Sequence, residues 1–172
     1  MTAVMDLLLL LLAAPTLLVC LYLLAATLLS GRPVPALAPG PAALRQRRFD
    51  VIVPAHDEAA VIGQVVASLR RMAWPTECFR IWVIADNCSD ATAALARAAG
   101  AEVQERTDTQ LRGKGHALAW AFEASRTRGW AEAVVVVDAD SAVSPNLLAA
   151  FSARIGQGAG AMQAYLRVLN PL

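Results

Sequence analysis

Short apolar runs rich in β-branched residues recur along the chain from residue 49 onward. Runs of this length, bounded by proline, glycine or acidic residues, are typical of strands buried on both faces. The strongest is the run of four valines that follows Ala133 and ends before Asp138. The pattern predicts four strands, at residues 49–53, 80–85, 101–104 and 133–137.

Apolar residues at helical spacing fill the intervals between the strands. Val61, Val65 and Leu69 stand at i, i+4 and i+8, which gives one apolar helical face. The first predicted helix, 58–71, carries that face, and the second, 89–99, has Ser89 as N-cap and Gly100 as a stop signal. A third begins after residue 115 and has Leu118 and Phe122 on one face. The fourth begins at Ser144 and Pro145 and carries Leu147, Phe151 and Ile155 at helical spacing.

Strands that alternate with helices predict an α/β domain, residues 49–172, with a mostly parallel sheet flanked by helices on both faces. Ligands of such sheets bind beyond the carboxyl ends of the strands. Acidic and polar residues follow three of the predicted strands: His56, Asp57 and Glu58 after the first, Asp86 and Asn87 after the second, Asp138 and Asp140 after the fourth. The sequence therefore predicts one polar crevice at this edge of the sheet.

The first 30 residues have a different pattern. Residues 7–29 carry no charge, and a helix of this length spans a hydrocarbon core of about 30 Å. A cleaved signal peptide is the alternative, since Ala36-Leu37-Ala38 resembles a cleavage site, but the apolar run is longer than a signal's and no basic residue precedes it. Residues 1–30 are therefore predicted to be a retained transmembrane anchor, followed by a proline-rich linker at 31–48.

Charge around this span predicts its orientation. Asp6 is the only charged side chain before it, whereas Arg32, Arg45, Arg47 and Arg48 follow it. Positive charge next to a span stays on the cytoplasmic side. We expect a single-pass membrane protein with its globular domain in the cytoplasm.

Composition restricts the function classes. The net charge of +1 gives no electrostatic case for a nucleic-acid partner. The three cysteines lack metal-ligand spacing and form no disulfide framework, which fits a reducing compartment. There is no Walker P-loop, no G-x-G-x-x-G after the first strand, and no Ser/His/Asp or Cys/His pairing typical of a covalent hydrolase.

Asp138 and Asp140 are the strongest candidates for a metal site. Two carboxylates separated by one residue point the same way in extended backbone; the alternative is a surface turn with two solvated acids. Like charges this close favour a bridging cation, and oxygen ligands suit Mg²⁺ or Mn²⁺ with phosphate oxygens. Two other sites have two interpretations each. Asp86 could accept a hydrogen bond from a nucleotide base or ribose, or it could compensate the dipole of the helix that follows. The segment 112–115, which contains Lys114, could bind a diphosphate or be a flexible basic loop.

Four motifs in this order resemble the family 2 glycosyltransferases. Residues 51–58 (VIVPAHDE) are similar to the family's opening segment, where Pro-x-x-Asn-Glu is usual, and 83–92 (VIADNCSDAT) to its second strand with Asp-x-x-Ser-x-Asp-x-Thr. Residues 113–115 resemble its Gly-Lys-Gly segment, and 138–140 its Asp-x-Asp (DXD) motif. The resemblance implies a GT-A fold, a Rossmann-like sheet that binds a nucleoside-diphosphate sugar with a divalent cation.

The resemblance also implies roles for single residues. Asp86 would contact the base, Lys114 would lie near the diphosphate, Asp138 would contact ribose or sugar, and Asp140 would bind the metal. Pro54, Asp57 and Glu58 would line the nucleotide pocket, with Asp57 in place of the usual asparagine. The family's acceptor half and catalytic base lie beyond this segment, so the catalytic residue is unknown and the domain is expected to be incomplete, with residues 162–168 as a strand that leads onward.

The resulting expectation is a metal-dependent, inverting hexosyltransferase of the kind used in polysaccharide biosynthesis. It would move a sugar from its nucleotide donor to a glycan or lipid acceptor at the cytoplasmic membrane face. Two alternatives stay open. One is a non-catalytic nucleotide-sugar-binding or membrane-scaffold fragment. The other is a sugar-phosphate nucleotidyltransferase, which would need a glycine-rich basic segment after the first strand, where this chain has His56, Asp57 and Glu58 instead.

Overall fold

The computed structural model describes residues 2–30 and 46–166, and the chain divides into two compact units, Met1–Ala36 and Leu37–Leu172. The first unit contains helix α1, Thr2–Ser30, whose apolar side chains are exposed, as at Leu18 and Leu28. By length and composition α1 can cross a membrane, and a signal sequence near the N-terminus would pass the same test. Most of the predicted linker, residues 31–45, lies outside the described residues.

The second unit is a four-stranded parallel sheet with order β3-β2-β1-β4, which confirms the predicted α/β fold. Its elements alternate as the sequence pattern indicates. In chain order they are β1 Phe49–Ala55, α2 Ile62–Arg70, a short 3₁₀ turn Thr76–Cys78, β2 Phe79–Asp86, α3 Thr92–Ala98, β3 Glu102–Arg106, α4 Lys114–Arg128, β4 Ala133–Val136 and α5 Leu147–Gly156.

Helices cover both faces of this sheet. Alternate residues of β1 point to opposite sides, so Val51 and Val53 face the core built with α2, α3 and α5, whereas Ile52 faces α4. The core on the second face is small. There α4 packs through Ala117 and Ala121, whose short side chains let the helix lie close to the buried Ile52, Trp82 and Ile84. Of the two residues predicted to share one face of α4, Leu118 is half-buried and packs against this core, whereas Phe122 is exposed.

β4 differs from the prediction of a strand buried on both sides. Val135 is buried with the α2 and α5 side chains, but Val134 and Val136 are 38% and 39% exposed. Within residues 46–166, β4 pairs only with β1, and α4 packs against β1 and β2 instead. The apolar run therefore predicted the strand correctly, but its prediction that both faces of the strand are buried was wrong for one face.

The C-terminal part of the described chain also departs from the expectation. Residues 160–166 form no regular element, so the predicted strand at 162–168 does not form over its described part, and residues 167–172 lie outside the description. At the start of α5, Asn146 occupies the cap position rather than Ser144, and no side-chain cap bond forms.

Gly100, which ends α3, gives a first testable prediction. Its φ is 96°, a left-handed conformation that costs a side chain about 1–2 kcal/mol, and an added Cβ would overlap Nη1 of Arg70, which donates to the Ala99 carbonyl. Gly100→Ala should therefore lower the free energy of unfolding by at least about 1 kcal/mol. Urea unfolding followed by tryptophan fluorescence measures this change.

Gly63 in α2 is the matched control for that substitution. It has an ordinary helical φ, and an added Cβ would meet nothing within 4 Å. Gly63→Ala is expected to be neutral or to stabilise by about 0.4–1 kcal/mol, because alanine loses less backbone entropy on folding. Equal effects of the two substitutions would contradict the role assigned to Gly100.

Candidate functional site

A cavity of about 600 Å³ opens at the carboxyl ends of β1, β2 and β4, next to the start of α4. Its size lies within the range of roughly 300–1,000 Å³ typical of small-molecule sites. Its wall includes six of the seven residues to which the family resemblance gives a binding role: Pro54, Glu58, Asp86, Lys114, Asp138 and Asp140. Other residues that line the cavity include Ala55, His56, Asn87 and Arg112.

Pro54 reaches the cavity because β1 continues past the residue predicted to end it. The Ile52 carbonyl accepts a hydrogen bond from the Val137 N–H at 3.0 Å, so alternate residues of β1 turn their backbone groups toward β4. Pro54, two residues on, turns the same way, but the β1–β4 pairing has already ended at the pair Ile52 and Val136. The missing N–H of proline therefore breaks no ladder bond.

Asp57, the remaining predicted residue, does not line this cavity. With a φ of 54° it turns its carboxylate toward the loop after β2. There it accepts hydrogen bonds from the N–H of Ser89 at 2.6 Å, the Ser89 hydroxyl at 3.1 Å and the N–H of Asp90 at 3.3 Å. The Ser89 N–H is the main cause that holds the pKa of Asp57 below its ordinary value. Ser89, predicted as a helix cap, is used in this loop contact instead.

Two more contacts join the loops that follow β1 and β2. The Glu58 N–H donates to the Thr92 hydroxyl at 2.8 Å, and the Ala59 N–H donates to the Asp90 carboxylate at 3.0 Å. The hydrogen bond from Thr92 holds the pKa of Asp90 below its ordinary value. These bonds fix the backbone of Glu58 at the cavity wall while its carboxyl group remains half-exposed.

Asp57, Cys88 and Asp90 also form an acidic cluster whose candidate ligand atoms lie within 4.8 Å of one another. The two carboxylates already accept hydrogen bonds from backbone N–H groups, and burial raises the pKa of the Cys88 thiol, which donates to the Ala55 carbonyl at 3.5 Å. Because these hydrogen bonds explain why the three side chains lie together, we interpret the cluster as a contact that joins the loops after β1 and β2.

Asp86 is a buried carboxylate at the end of β2. Its Oδ1 receives the Arg106 guanidinium at 2.6 Å and the Asn87 side-chain amide at 3.1 Å. The side chains of Asp86 and Arg106 are only 7% and 9% exposed, so this ion pair is little screened by solvent. His56 donates from Nδ1 to the Asp86 carbonyl at 2.7 Å, which ties the β1 loop to the same strand end.

Sequence reasoning missed Arg106. It ends β3, two residues beyond the predicted end of that strand, and a basic residue at a strand end next to acidic strand ends was the available signal. Its second amino group contacts the Asp108 carboxylate at 3.0 Å and the Leu111 carbonyl at 2.7 Å. Arg106 thus links the end of β2 to the loop that leads into α4.

Lys114 and Asp138 meet across the cavity as an ion pair, with both side chains 55% exposed. Lys114 is the first residue of α4, after Gly113 with a φ of 102°. An anion that reaches this helix start would meet the free backbone N–H groups of its first turn as well as the lysine.

Asp138 and Asp140 continue the alternation of β4 beyond its last residue. Val137 and Ala139 are buried, whereas Asp138 and Asp140 are exposed and both line the cavity. The chain turns here, with the Ser141 N–H donating to the Asp138 carbonyl at 3.0 Å, so a turn and not the predicted extended backbone brings both carboxylates to the cavity. Their oxygen atoms suit Mg²⁺ or Mn²⁺. The residues present therefore fit a divalent cation at this edge.

Comparison with known proteins adds independent information. Residues 46–171 match the family model described as glycosyltransferase like family 2. A comparison with curated protein sequences found no match.

Three solved structures are similar to the chain. A mannosyltransferase from Pyrobaculum calidifontis, in complex with GDP-Man and Mn²⁺, is 25% identical with a TM-score of 0.58, over 76% of this chain and 37% of its own. A mycobacterial protein is 30% identical with a TM-score of 0.56, over 76% and 44%. Glucosyl-3-phosphoglycerate synthase from Mycobacterium tuberculosis, in complex with UDP, is 25% identical with a TM-score of 0.50, over 68% and 43%. The chain thus spans less than half the length of each.

Proposed function

Because the chain belongs to the glycosyltransferase-like family 2, we propose that its cavity binds a nucleoside-diphosphate sugar and that the protein transfers the sugar to a glycan or lipid acceptor. The predicted GT-A sheet flanked by helices is confirmed by the fold and the similar structures. The observation that carries the proposal is the convergence of Asp86, Lys114 and the two acids after β4 on one cavity.

Each part of the donor has a matching group in the cavity. The Asp86 carboxylate accepts an N–H of the base, and Lys114 with the start of α4 binds the diphosphate. Asp138 accepts a hydroxyl of ribose or sugar, and Asp140 holds Mg²⁺ or Mn²⁺. Pro54 and Glu58 form the wall beside the nucleotide, and Asp57 supports that wall through Ser89. The mannosyltransferase complexed with GDP-Man and Mn²⁺ supports both the donor class and the cation.

The chemistry of transfer defines what these residues do. Asp140 would hold a divalent cation, which would supply positive charge against the negative charge of the departing diphosphate. Lys114 adds a positive charge at the same group and exchanges its partner Asp138 for phosphate oxygens when the donor enters. Inversion at the anomeric carbon of a hexosyl donor requires a base for the acceptor hydroxyl, and our assignment leaves that base open.

The N-terminal helix suggests where this reaction takes place. We propose that α1 anchors the protein as a single span and that the globular domain faces the cytoplasm, where the arginines after the span would remain. An acceptor carried by a lipid or growing glycan at that membrane face would then be within reach.

Chemical labelling of Lys114 tests donor binding directly, because it is the only lysine in the chain. UDP or GDP with MnCl₂, at ten times the dissociation constant, should slow acetylation of Lys114 about tenfold by mass action. Mass spectrometry of the full chain in detergent measures the rate, the N-terminal amine serves as internal reference, and uridine or guanosine should give no protection. Equal labelling with and without nucleotide would argue against a diphosphate site at Lys114.

A donor-binding protein without turnover is the second candidate, since the residues that line the cavity supply groups for a donor and none of them is assigned as a base for an acceptor. A donor-hydrolysis assay on the purified chain separates the two. Release of free sugar that depends on Mn²⁺ supports the enzyme, whereas protection of Lys114 without release supports the binding role.

A further inference from the structure

Arg106 holds a position that the donor-binding roles above do not explain. Its side chain is almost buried, yet it contacts three groups on two segments, the end of β2 and the loop before α4. Nη1 donates to Oδ1 of Asp86 at 2.6 Å, and Nη2 donates to Oδ2 of Asp108 at 3.0 Å and to the Leu111 carbonyl at 2.7 Å. One planar group therefore connects the proposed base contact to the loop before α4.

The loop that Arg106 holds is itself organised by Asp108. Oδ1 of Asp108 accepts the N–H groups of Gln110 at 2.9 Å and Leu111 at 2.8 Å. These bonds, that of Leu111 first, hold the pKa of Asp108 below its ordinary value. The Asp108 N–H in turn donates to the Asn87 side chain at 2.9 Å. Residues 108–111 thus form a fixed turn attached to the end of β2, and Lys114 follows three residues later.

The same contacts set the state of Asp86. Arg106 and Asn87 both donate to Oδ1, whereas Oδ2 receives no hydrogen bond from the described residues. A carboxylate free to rotate would offer either oxygen. Held in this way, Asp86 keeps Oδ2 for a ligand in the cavity that it lines.

We infer that Arg106 is a positioning residue that couples the base end of the donor site to its diphosphate end. It orients the Asp86 carboxylate and, with the same guanidinium, fixes the turn that sets the approach of Arg112 and Lys114. This inference rests on the proposed function. Lysine cannot replace it fully, because an ammonium lacks the planar fork that reaches three acceptors at once.

Nucleotide binding by substituted full-length protein in detergent tests the inference. Arg106→Gln should weaken UDP or GDP binding with MnCl₂ by roughly tenfold to a hundredfold, the range for lost hydrogen bonds to a charged group. Arg106→Lys should recover part of that loss. Arg97→Gln is the matched control, since Arg97 pairs with Glu105 on the surface, with side chains 51% and 60% exposed, and it should bind as the unsubstituted chain does.

Two further measurements separate positioning from general damage. In an Asp86→Ala background, Arg106→Gln should lose the part of its effect on affinity that acts through Asp86, because residues that act through one another are not additive, and keep the part that acts through the turn at residues 108–111. Hydrogen exchange should quicken at residues 108–113 while β1 and β2 stay protected. Additive losses, or unchanged affinity and exchange, would overturn the inference. If the unsubstituted chain binds neither UDP nor GDP, the proposed function fails and the inference fails with it.

Discussion

Asp140→Ala is expected to abolish the manganese-dependent part of donor binding while the fold stays intact. Asp140 is exposed at the cavity wall, beyond the end of β4, so its removal takes away a cation ligand but no packing contact of the core. Loss of an outer-shell partner of a metal site alone costs about 10–100-fold in affinity, so loss of a direct ligand should cost more than about a hundredfold. Calorimetric titration of UDP or GDP, with MnCl₂ and with EDTA, measures the difference.

Glu123→Ala is the matched control for this substitution. Glu123 is also an exposed acid, on α4, paired with Arg126 and absent from the cavity wall, so its loss removes the same charge elsewhere. Manganese should strengthen nucleotide binding to the control as much as to the unsubstituted chain. If nucleotide binding by Asp140→Ala depends on manganese as strongly as binding by the unsubstituted chain does, Asp140 does not bind the cation.

The strand exits of this site could be predicted because they follow from local sequence. A β-branched run marks a strand whatever it packs against, and parallel strands deliver their carboxyl ends to one edge. The sequence alone thus predicts that Asp86, Asp138 and Asp140 lie at one edge of the sheet, and all three line the cavity. Pro54 was expected to close β1, but a proline is tolerated where the neighbouring strand no longer pairs.

The contacts that connect those exits could not be predicted, since they depend on tertiary structure. Asp57 was expected in the pocket, yet its left-handed backbone turns it toward Ser89, which lies 32 residues away in sequence. Nothing in the spacing of Asp86 and Arg106 shows that they form a buried pair. In α4 the apolar pattern pointed to Leu118 and Phe122, and Leu118 does pack against the core. The buried positions are Ala117 and Ala121, because close approach to Trp82 selects small residues.

Arg80→Met is expected to destabilise the globular unit by about 3–5 kcal/mol, the cost of leaving a buried charge without its partner. Asp50 is fully buried, and Arg80 binds it through Nε at 2.9 Å and Nη2 at 3.0 Å, with the Ser125 hydroxyl at 2.5 Å. The same guanidinium lies 4.2 Å from the Trp130 ring, a cation–π contact that methionine cannot make. Such a loss is large against a total stability of about 5–15 kcal/mol.

Two variants decide whether the uncompensated charge of Asp50 is the cause. Arg126→Met removes an arginine whose pair with Glu123 is 75% and 61% exposed, and should change stability by less than about 1 kcal/mol. Adding Asp50→Asn to Arg80→Met should restore much of the loss, because the buried charge is then gone. Urea unfolding of the full chain in detergent can follow tryptophan fluorescence, since all four tryptophans lie in the sheet-containing unit. If Arg80→Met and Arg126→Met unfold at the same urea concentration, the pair of Asp50 and Arg80 contributes no more than a surface contact.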